Sequence, residues 1–249
     1  MTEKTKPKIV NEPAGIKKER KFDQGAWTSK TELGKLVKQG KIKSISAVLD
    51  SGKRILESEI IDYLVPNLEV EILAVGQSKG KFGGGKKSVW KQTQKKSREG
   101  NKPKFATLTA IGNNDGYIGL GYGKSKETMP AREKSLRKAK LNIMEITRAS
   151  SSGKEKTSFT IPAKVTGSYG SARLTLIPAP RGTGLIVEEE CKKILKIAGI
   201  QDVYSKSRHV KTKYNLLNAC FDALKQTSKL KLKEDYIKKA NIVRGSVNE

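Results

Sequence analysis

Ile177-Pro178-Ala179-Pro180-Arg181-Gly182-Thr183-Gly184-Leu185 is the stretch that decides the fold of the second half of this chain. Proline fixes φ and glycine allows backbone angles that other residues avoid, so we expect one rigid turn here. An apolar strand pattern precedes the turn and an amphipathic helix pattern follows it. We interpret the segment as a shape-fixing turn whose single outward contact is Arg181. A phosphate site at the helix N-terminus is the alternative, and the acidic run 188–190 in the first helical turn opposes it.

The elements on either side of this turn form one unit. Strand patterns cover 159–165 and 172–177, a helix follows the turn, a short strand covers 200–204, and a last helix is centred on Cys220. Cys191 and Cys220 fall on the apolar helix faces, and we expect both to be reduced core residues. The predicted order is β-β-α-β-α.

A second unit lies upstream. Strand patterns at 89–94, 105–111 and 117–122 are separated by turn-rich segments, which predicts a three-stranded antiparallel meander. A helix is predicted from about 126 to 144. Its apolar stripe, which would cover one face of the sheet, consists of Met129, Leu136, Ala139 and Ile143. The chain is therefore predicted to be α+β.

Three glycines alternate along the third strand of the meander. Because side chains alternate between sheet faces, Gly119, Gly121 and Gly123 share one face, where the missing side chains allow a close approach. Either a helix or a nucleic-acid backbone could make that approach. The following Gly123-Lys124 does not complete a nucleotide-binding P-loop, because Ile118 stands where that loop needs glycine.

The charge of the chain points to a polyanionic partner. Lys and Arg number 51 against 25 Asp and Glu, a net charge of +26, and nucleic acid is the partner that fits best. No apolar run is long enough to span a membrane and no signal peptide is evident, so we expect no membrane partner. No catalytic set, metal-ligand cluster or cofactor motif stands out, and His209 is expected in an exposed loop. An enzyme is not predicted.

Only the segment 50–71 is acidic. Its carboxylates could face a basic neighbouring protein or form a solvated helix face, and the sequence leaves both open.

The strongest functional signal is the basic hairpin loop 95–104, where cations gather at the predicted tip between two strands. A loop that only improves solubility is the alternative. The predicted RNA-binding residues are Lys95, Lys96, Arg98, Lys102, Lys104, Lys124, Lys126 and Arg181.

Together these features resemble the small-subunit ribosomal protein S-five (S5) family, called S-two in animal ribosomes. The resemblance spans roughly residues 25–229 and includes 31–37, 110–112, 116–121 and 164–167, besides the turn at 178–184. It implies a double-stranded-RNA-binding-like first domain and a second domain with the fold of the galactokinase group. The segment before the first strand resembles the archaeal and eukaryotic branch.

The resemblance also implies a function. The chain would be a structural constituent of the small ribosomal subunit in the cytoplasm. It would bind small-subunit rRNA beside proteins S-four, S-three and S-eight, near the mRNA entry, and support decoding accuracy. The hairpin loop of the family reaches toward the head and neck of the subunit RNA, a role carried over to Arg98, Lys102 and Lys104. An RNA-binding assembly or processing factor acting off the ribosome is the alternative.

The predicted organisation has seven parts. They are a flexible basic extension at 1–26, a helical lead-in at 27–75, a Gly/Lys-rich loop or insertion at 76–88, the double-stranded-RNA-binding-like domain at 89–148, a linker at 149–158, the C-terminal S5 domain at 159–229 and a basic tail at 230–249.

Overall fold

Three short helices open the computed structural model, whose described residues are 27–78, 87–150 and 159–246. They are α1 (Glu32–Lys38), α2 (Ile45–Asp50) and α3 (Glu59–Leu64). The Thr31 hydroxyl caps α1 by accepting the N–H of Gly34 at 3.1 Å. The helix ends before Gly40, and the helical spacing of Leu33, Leu36 and Val37 with a Ser or Thr cap before it and a glycine stop at Gly40 predicts such a helix from the sequence. The Glu57 carboxylate accepts the indole N–H of Trp27 at 3.1 Å and the backbone N–H of Thr31. The lead-in therefore closes on itself through one buried carboxylate.

The first sheet contains the predicted meander and two further strands. Its strands are β1 (Glu69–Leu73), β2 (Lys91–Ser97), β3 (Gly100–Gly112), β4 (Tyr117–Ser125) and β5 (Ile143–Glu145). The strand order is β1-β3-β4-β5, and β2 pairs with the N-terminal half of β3. All these pairings are antiparallel. The long β3 thus pairs with three of the other four strands, and β5 is added through β4.

Helix α4 (Thr128–Leu141) covers one face of this sheet, but of the predicted apolar stripe only Ala139 is one of its buried residues. Met129 is 60% exposed and Ile143 belongs to β5. The buried stripe is instead Ala131, Ser135 and Ala139. Small residues are required there because the helix backbone lies directly against the strand.

The strand beneath α4 is β4, at its three alternating glycines. A Cβ at Gly119 or Gly121 would collide with backbone atoms of Ala139, and one at Gly123 with backbone atoms of Ala131. Thr107 and Thr109 on β3 form hydroxyl hydrogen bonds with Ser135 at 3.1 and 2.6 Å. The close approach on this face is therefore made by α4, which leaves no room there for a nucleic-acid backbone.

The second sheet has the order β10-β11-β9-β8. Its strands are β8 (Val165–Tyr169), β9 (Ala172–Pro178), β10 (Leu185–Ile186) and β11 (Val203–Arg208), while the short strands β6 (Thr147–Ser150) and β7 (Phe159–Thr160) pair with each other outside it. Helices α5 (Glu189–Ile197) and α6 (Lys213–Ser228) pack on one face. The predicted β-β-α-β-α order is observed with different strand bounds. The strand predicted at 159–165 is replaced by β7 and β8, the one predicted at 200–204 begins only at Val203, and the two-residue β10 is added.

One hydrophobic core joins the two units. It includes Leu108 and Ala110 of the first sheet, Leu174 of the second and Ile194 of α5. Cys191 and Cys220 are both buried in this core as free thiols, as predicted. The hydrogen bond with the neighbouring Cys220 thiol raises the pKa of Cys191, and burial raises it further.

The C-terminal segment folds back onto the rest of the chain. It contains α7 (Glu234–Lys239) and β12 (Val243–Arg244), which pairs with β6. Arg148 is 1% exposed and donates to Asp115 at 2.6 Å and to the carbonyl oxygen of Gly245 at 3.0 Å. Its guanidinium lies 4.3 Å from the ring centroid of Phe159. The described part of the predicted basic tail is therefore fixed by a buried arginine.

Several carboxylates of the acidic segment are used inside the chain. Asp62 pairs with Lys140 at 2.7 Å, and Asp50 pairs with Arg244 at 3.2 Å. These two join the lead-in to α4 and to the C-terminal strand. Asp62 is mostly buried in its pair, whereas Asp50, Glu69 and Glu71 are exposed, so the two alternatives for the acidic segment stay predictions.

Some of the predicted segments lie outside the described residues. These are the extension at 1–26, positions 79–86 of the Gly/Lys-rich loop, most of the linker and the last three residues. The domain boundaries stay predictions. No helix within the described ranges is long and apolar enough to cross a membrane.

Candidate nucleic-acid interface

The predicted basic loop is a two-stranded ribbon. Residues 95–97 and 100–102, expected in a loop, continue the ladder between β2 and β3 up to the pair Ser97 and Gly100. A two-residue turn of Arg98 and Glu99 closes it, and Gly100 takes φ +108°, which glycine permits without strain. Within the described chain, β4 reaches β3 only as far as Phe105, so the end of the ribbon pairs only with itself.

The register places most of the predicted lysines on one face of the ribbon. Directly opposed residues of an antiparallel pair point the same way. Lys95 opposes Lys102, and Ala106 lies between Lys91 of β2 and Lys124 of β4. Lys104 shares this face because it is two residues from Ala106 on β3. These five lysines, all exposed, are called the lysine face below.

Two predicted residues lie elsewhere on the ribbon. Lys96 opposes Asn101 and so points to the other side, and Arg98 lies in the turn. Lys102 forms an exposed ion pair of 2.7 Å with Glu99 across the turn. The tip therefore carries its own anion, which competes with any phosphate for Lys102.

A cleft at the base of the ribbon gathers further lysines. It has a volume of about 590 Å³ and is lined by Lys104, Lys124, Lys126 and Lys134, with Glu127 and Pro130. The sequence reasoning missed Lys91 and Lys134 as site residues. Counting alternate positions back from Lys95 along β2 could have found Lys91, because residues two apart on a strand share a face. Lys134 could have been found from its position one helical turn after Pro130.

Arg181 belongs to a different part of the protein. It is exposed in the turn between β9 and β10, on the second sheet. The Thr183 hydroxyl donates to the carbonyl oxygen of Pro180 at 2.8 Å, and the Gly184 N–H donates to Asp202 at 2.7 Å. Gly182 and Gly184 have φ values of +82° and +72°. The turn has the fixed shape that its prolines and glycines predict.

The helix N-terminus after this turn is already occupied by a carboxylate. Glu188 accepts the N–H of Glu190 at 3.0 Å and that of Cys191 at 3.4 Å, and it pairs with Lys213 at 2.6 Å. Burial acts to lower the pKa of Lys213, but Glu188 outweighs it and raises that pKa above its ordinary value. The geometry thus opposes the alternative of a phosphate at α5.

The comparisons with known proteins agree with this architecture. Residues 86–147 match the family model described as Ribosomal protein S5, N-terminal domain, and residues 167–239 match Ribosomal protein S5, C-terminal domain. The chain is 41% identical over 224 residues to the small ribosomal subunit protein uS5 of Nanoarchaeum equitans, covering 89% of this chain and 96% of the relative. The proteins of the same name in Methanothermobacter thermautotrophicus and Thermoplasma volcanium are 40% and 41% identical, over 89% of this chain and 97% and 95% of theirs. With both domains matched and such relatives covered almost end to end, this chain belongs to the ribosomal protein S5 family.

Proposed function

We propose that this chain is a structural constituent of the small ribosomal subunit in the cytoplasm and that its ribbon binds small-subunit rRNA. The observation that carries the RNA-binding role is the lysine face, where five exposed cations share one side of a short sheet. The relatives named small ribosomal subunit protein support the ribosomal location. The role is architectural and requires no catalytic residue.

The physical basis of this binding is shape and charge. Protein side chains that approach double-stranded RNA meet its backbone and its minor groove rather than a readable base sequence. Lysine ammonium groups are flexible point charges that suit such contacts. We assign first contacts to Lys95, Lys102, Lys104 and Lys124, and a second group to Lys126 with Lys134 in the cleft.

The other predicted residues take separate roles in the proposal. Lys96 and Arg98 would contact RNA from the opposite side and from the tip of the ribbon, so the ribbon would lie between RNA segments rather than on one. Arg181 would make an independent contact from the second sheet.

The finer family features are proposals as well. The unit of β2, β3, β4 and α4 is proposed to be double-stranded-RNA-binding-like, and the second unit to share the galactokinase-group fold. The archaeal relatives support the archaeal and eukaryotic branch. Contacts with proteins S-four, S-three and S-eight, a place at the mRNA entry and a part in decoding accuracy are supported by the family resemblance.

Sedimentation tests the function directly. The endogenous protein is followed through a sucrose gradient in high salt, and its amount in each fraction is compared with that of small-subunit rRNA. We expect constant stoichiometry with the subunit that resists salt. Release into the light fractions would contradict the proposal and favour an assembly or processing factor.

A further inference from the structure

One face of the second sheet, called the open face below, is not covered by α5 or α6, and the RNA-binding role of the ribbon gives no reason for the residues on it. Helices α5 and α6 pack on the other face, where Val165, Leu174, Leu176 and Val203 are buried. Pairing and alternation place nine side chains on the open face. They are Thr166, Ser168, Arg173, Thr175, Ile177, Ile186, Tyr204, Lys206 and Arg208. None of the nine is acidic, and each is partly or fully exposed.

One end of this open face is an aromatic and aliphatic platform. Tyr204 on β11 lies between its partners Ile177 on β9 and Ile186 on β10. Tyr204 is 38% exposed and Ile186 is 52% exposed. Leaving this apolar surface in water costs free energy that a flat apolar ligand would recover.

The other end of the open face is cationic. Arg173 and Arg208 are directly opposed across β9 and β11, an arrangement that destabilises a sheet because like charges repel. Lys206 lies two residues before Arg208 on β11 and therefore shares the same face. None of the ion pairs found among the described residues involves these three cations. An anionic ligand would remove the repulsion.

We propose that this open face binds a single-stranded segment of RNA, with phosphates on Arg173, Lys206 and Arg208 and a base stacked on Tyr204. From Tyr204 to Arg208 the strand rises about 13 Å, which a few nucleotides span. Such a strand presents a phosphate at each step and a base with a π face, so it suits both ends of the open face. An acidic protein segment would suit only the cationic end. The inference rests on the proposed function, since the RNA is small-subunit rRNA.

Filter binding of the full chain to a small-subunit rRNA transcript tests the proposal at several salt concentrations. We expect Tyr204→Ala to weaken binding about 5- to 150-fold, the range for loss of one stacked base, and Tyr204→Phe to bind nearly as wild type. The triple variant Arg173→Gln, Lys206→Gln, Arg208→Gln should lower the log-log salt slope by about 2, because each single-strand phosphate contact contributes about 0.7.

The matched control removes the same charge from exposed positions on α5 and α6. Lys192→Gln, Lys196→Gln, Lys225→Gln should change the salt slope by less than half as much. The thermal midpoints of all variants are compared to separate unfolding from lost contacts. A 4-thiouridine-substituted transcript adds a readout on the wild-type protein, in which Tyr204 should appear in a photocrosslinked peptide.

The outcomes separate this inference from the proposed function. If wild type binds the transcript and sediments with the subunit, but the open-face variants bind equally well and no crosslink forms at Tyr204, this inference is wrong and the proposed function stands. Binding of an acidic protein at that face in place of RNA would likewise show that this inference is wrong, while the proposed function stands. If wild type itself fails to bind the transcript, both proposals fail.

Discussion

Replacing Gly121 with valine tests whether α4 needs a bare strand beneath it. A Cβ at position 121 would lie 2.8 Å from the Cα of Ala139, and α4 backbone atoms lie closer still. Carbon atoms pack at about 3.5–4.0 Å, so α4 must retreat by about 1 Å. The Thr109 to Ser135 hydrogen bond, now 2.6 Å long, would then exceed the 3.5 Å limit of a hydrogen bond.

The expected loss follows from two contributions. Overpacking a core costs about 1–3 kcal/mol, and leaving buried hydroxyls without partners costs about 1–3 kcal/mol more. The free energy of unfolding should therefore fall by about 2–6 kcal/mol, a large share of the roughly 5–15 kcal/mol typical of a protein. Urea unfolding followed by circular dichroism measures this loss. Gly121→Ala should show most of it, because the first carbon already collides.

Gly182→Ala is the matched control. A Cβ at position 182 meets nothing within 4 Å, but its φ is +82°, so this variant carries only the backbone cost of about 1–2 kcal/mol. If Gly121→Val lowers the free energy of unfolding by no more than the control does, α4 adapts freely and the reasoning is refuted.

Three further predictions concern charge. Reversing Arg98, Lys102 and Lys104 to Glu should weaken incorporation into the small subunit or alter misreading while leaving the thermal midpoint of the isolated protein unchanged; normal assembly and normal misreading would contradict the ribbon's role. Glu99→Gln should strengthen rRNA binding about two- to fivefold in filter assays, since it frees Lys102 from an exposed ion pair of modest strength, and weaker binding would show that the ion pair positions Lys102 instead. Burial acts to raise the pKa of Glu57, but hydrogen bonds from Thr31, Lys30 and Trp27 outweigh it and lower that pKa below its ordinary value of 4.5. The ionised Glu57 therefore stabilises the fold fully above the pKa that this group has in the unfolded chain, and this stabilisation is lost as pH falls through its pKa in the folded protein. Glu57→Gln should lower the free energy of unfolding by about 1–3 kcal/mol at pH 7 and by progressively less below pH 4.5. An equal loss at pH 7 and pH 3 would contradict this.

Local signals in the sequence predicted the elements that depend on local chemistry. Thr31 and Gly40 mark the ends of α1 because a cap and a stop act within one helical turn. The fixed turn around Gly182 follows equally from residue conformations. Among the elements that were missed, α2 and β1 are short and are stabilised by partners distant in sequence. The edge strand β1, for example, is positioned by its pairing with residues 108–112 of β3.

Apart from Ala139, the α4 stripe was mispredicted for a related reason. Counting apolar residues selected Met129, which is exposed, and passed over Ser135, whose hydroxyl is buried against two threonines. The three alternating glycines of β4 were the better guide to this helix face. A helix that packs closely on a strand of glycines needs small residues on that side, whether they are polar or apolar. The sequence pattern alone does not show which helix face lies against which strand.

The ribbon shows why the sequence was enough to locate the candidate site but not to predict which of its lysines share a face. Its end has no apolar side chain to bury, and Lys95 directly opposes Lys102, so neither burial nor charge favours strands there. Isolated two-stranded hairpins are marginal in water, yet this one continues a ladder already fixed by β3 inside the sheet. The sheet therefore sets the register, and the register decides that Lys95, Lys102 and Lys104 act together while Lys96 does not. Repulsion among those lysines remains in the free protein, and neutralisation by RNA phosphates would remove it, so binding should stabilise the end of the ribbon more than any other part of the first sheet.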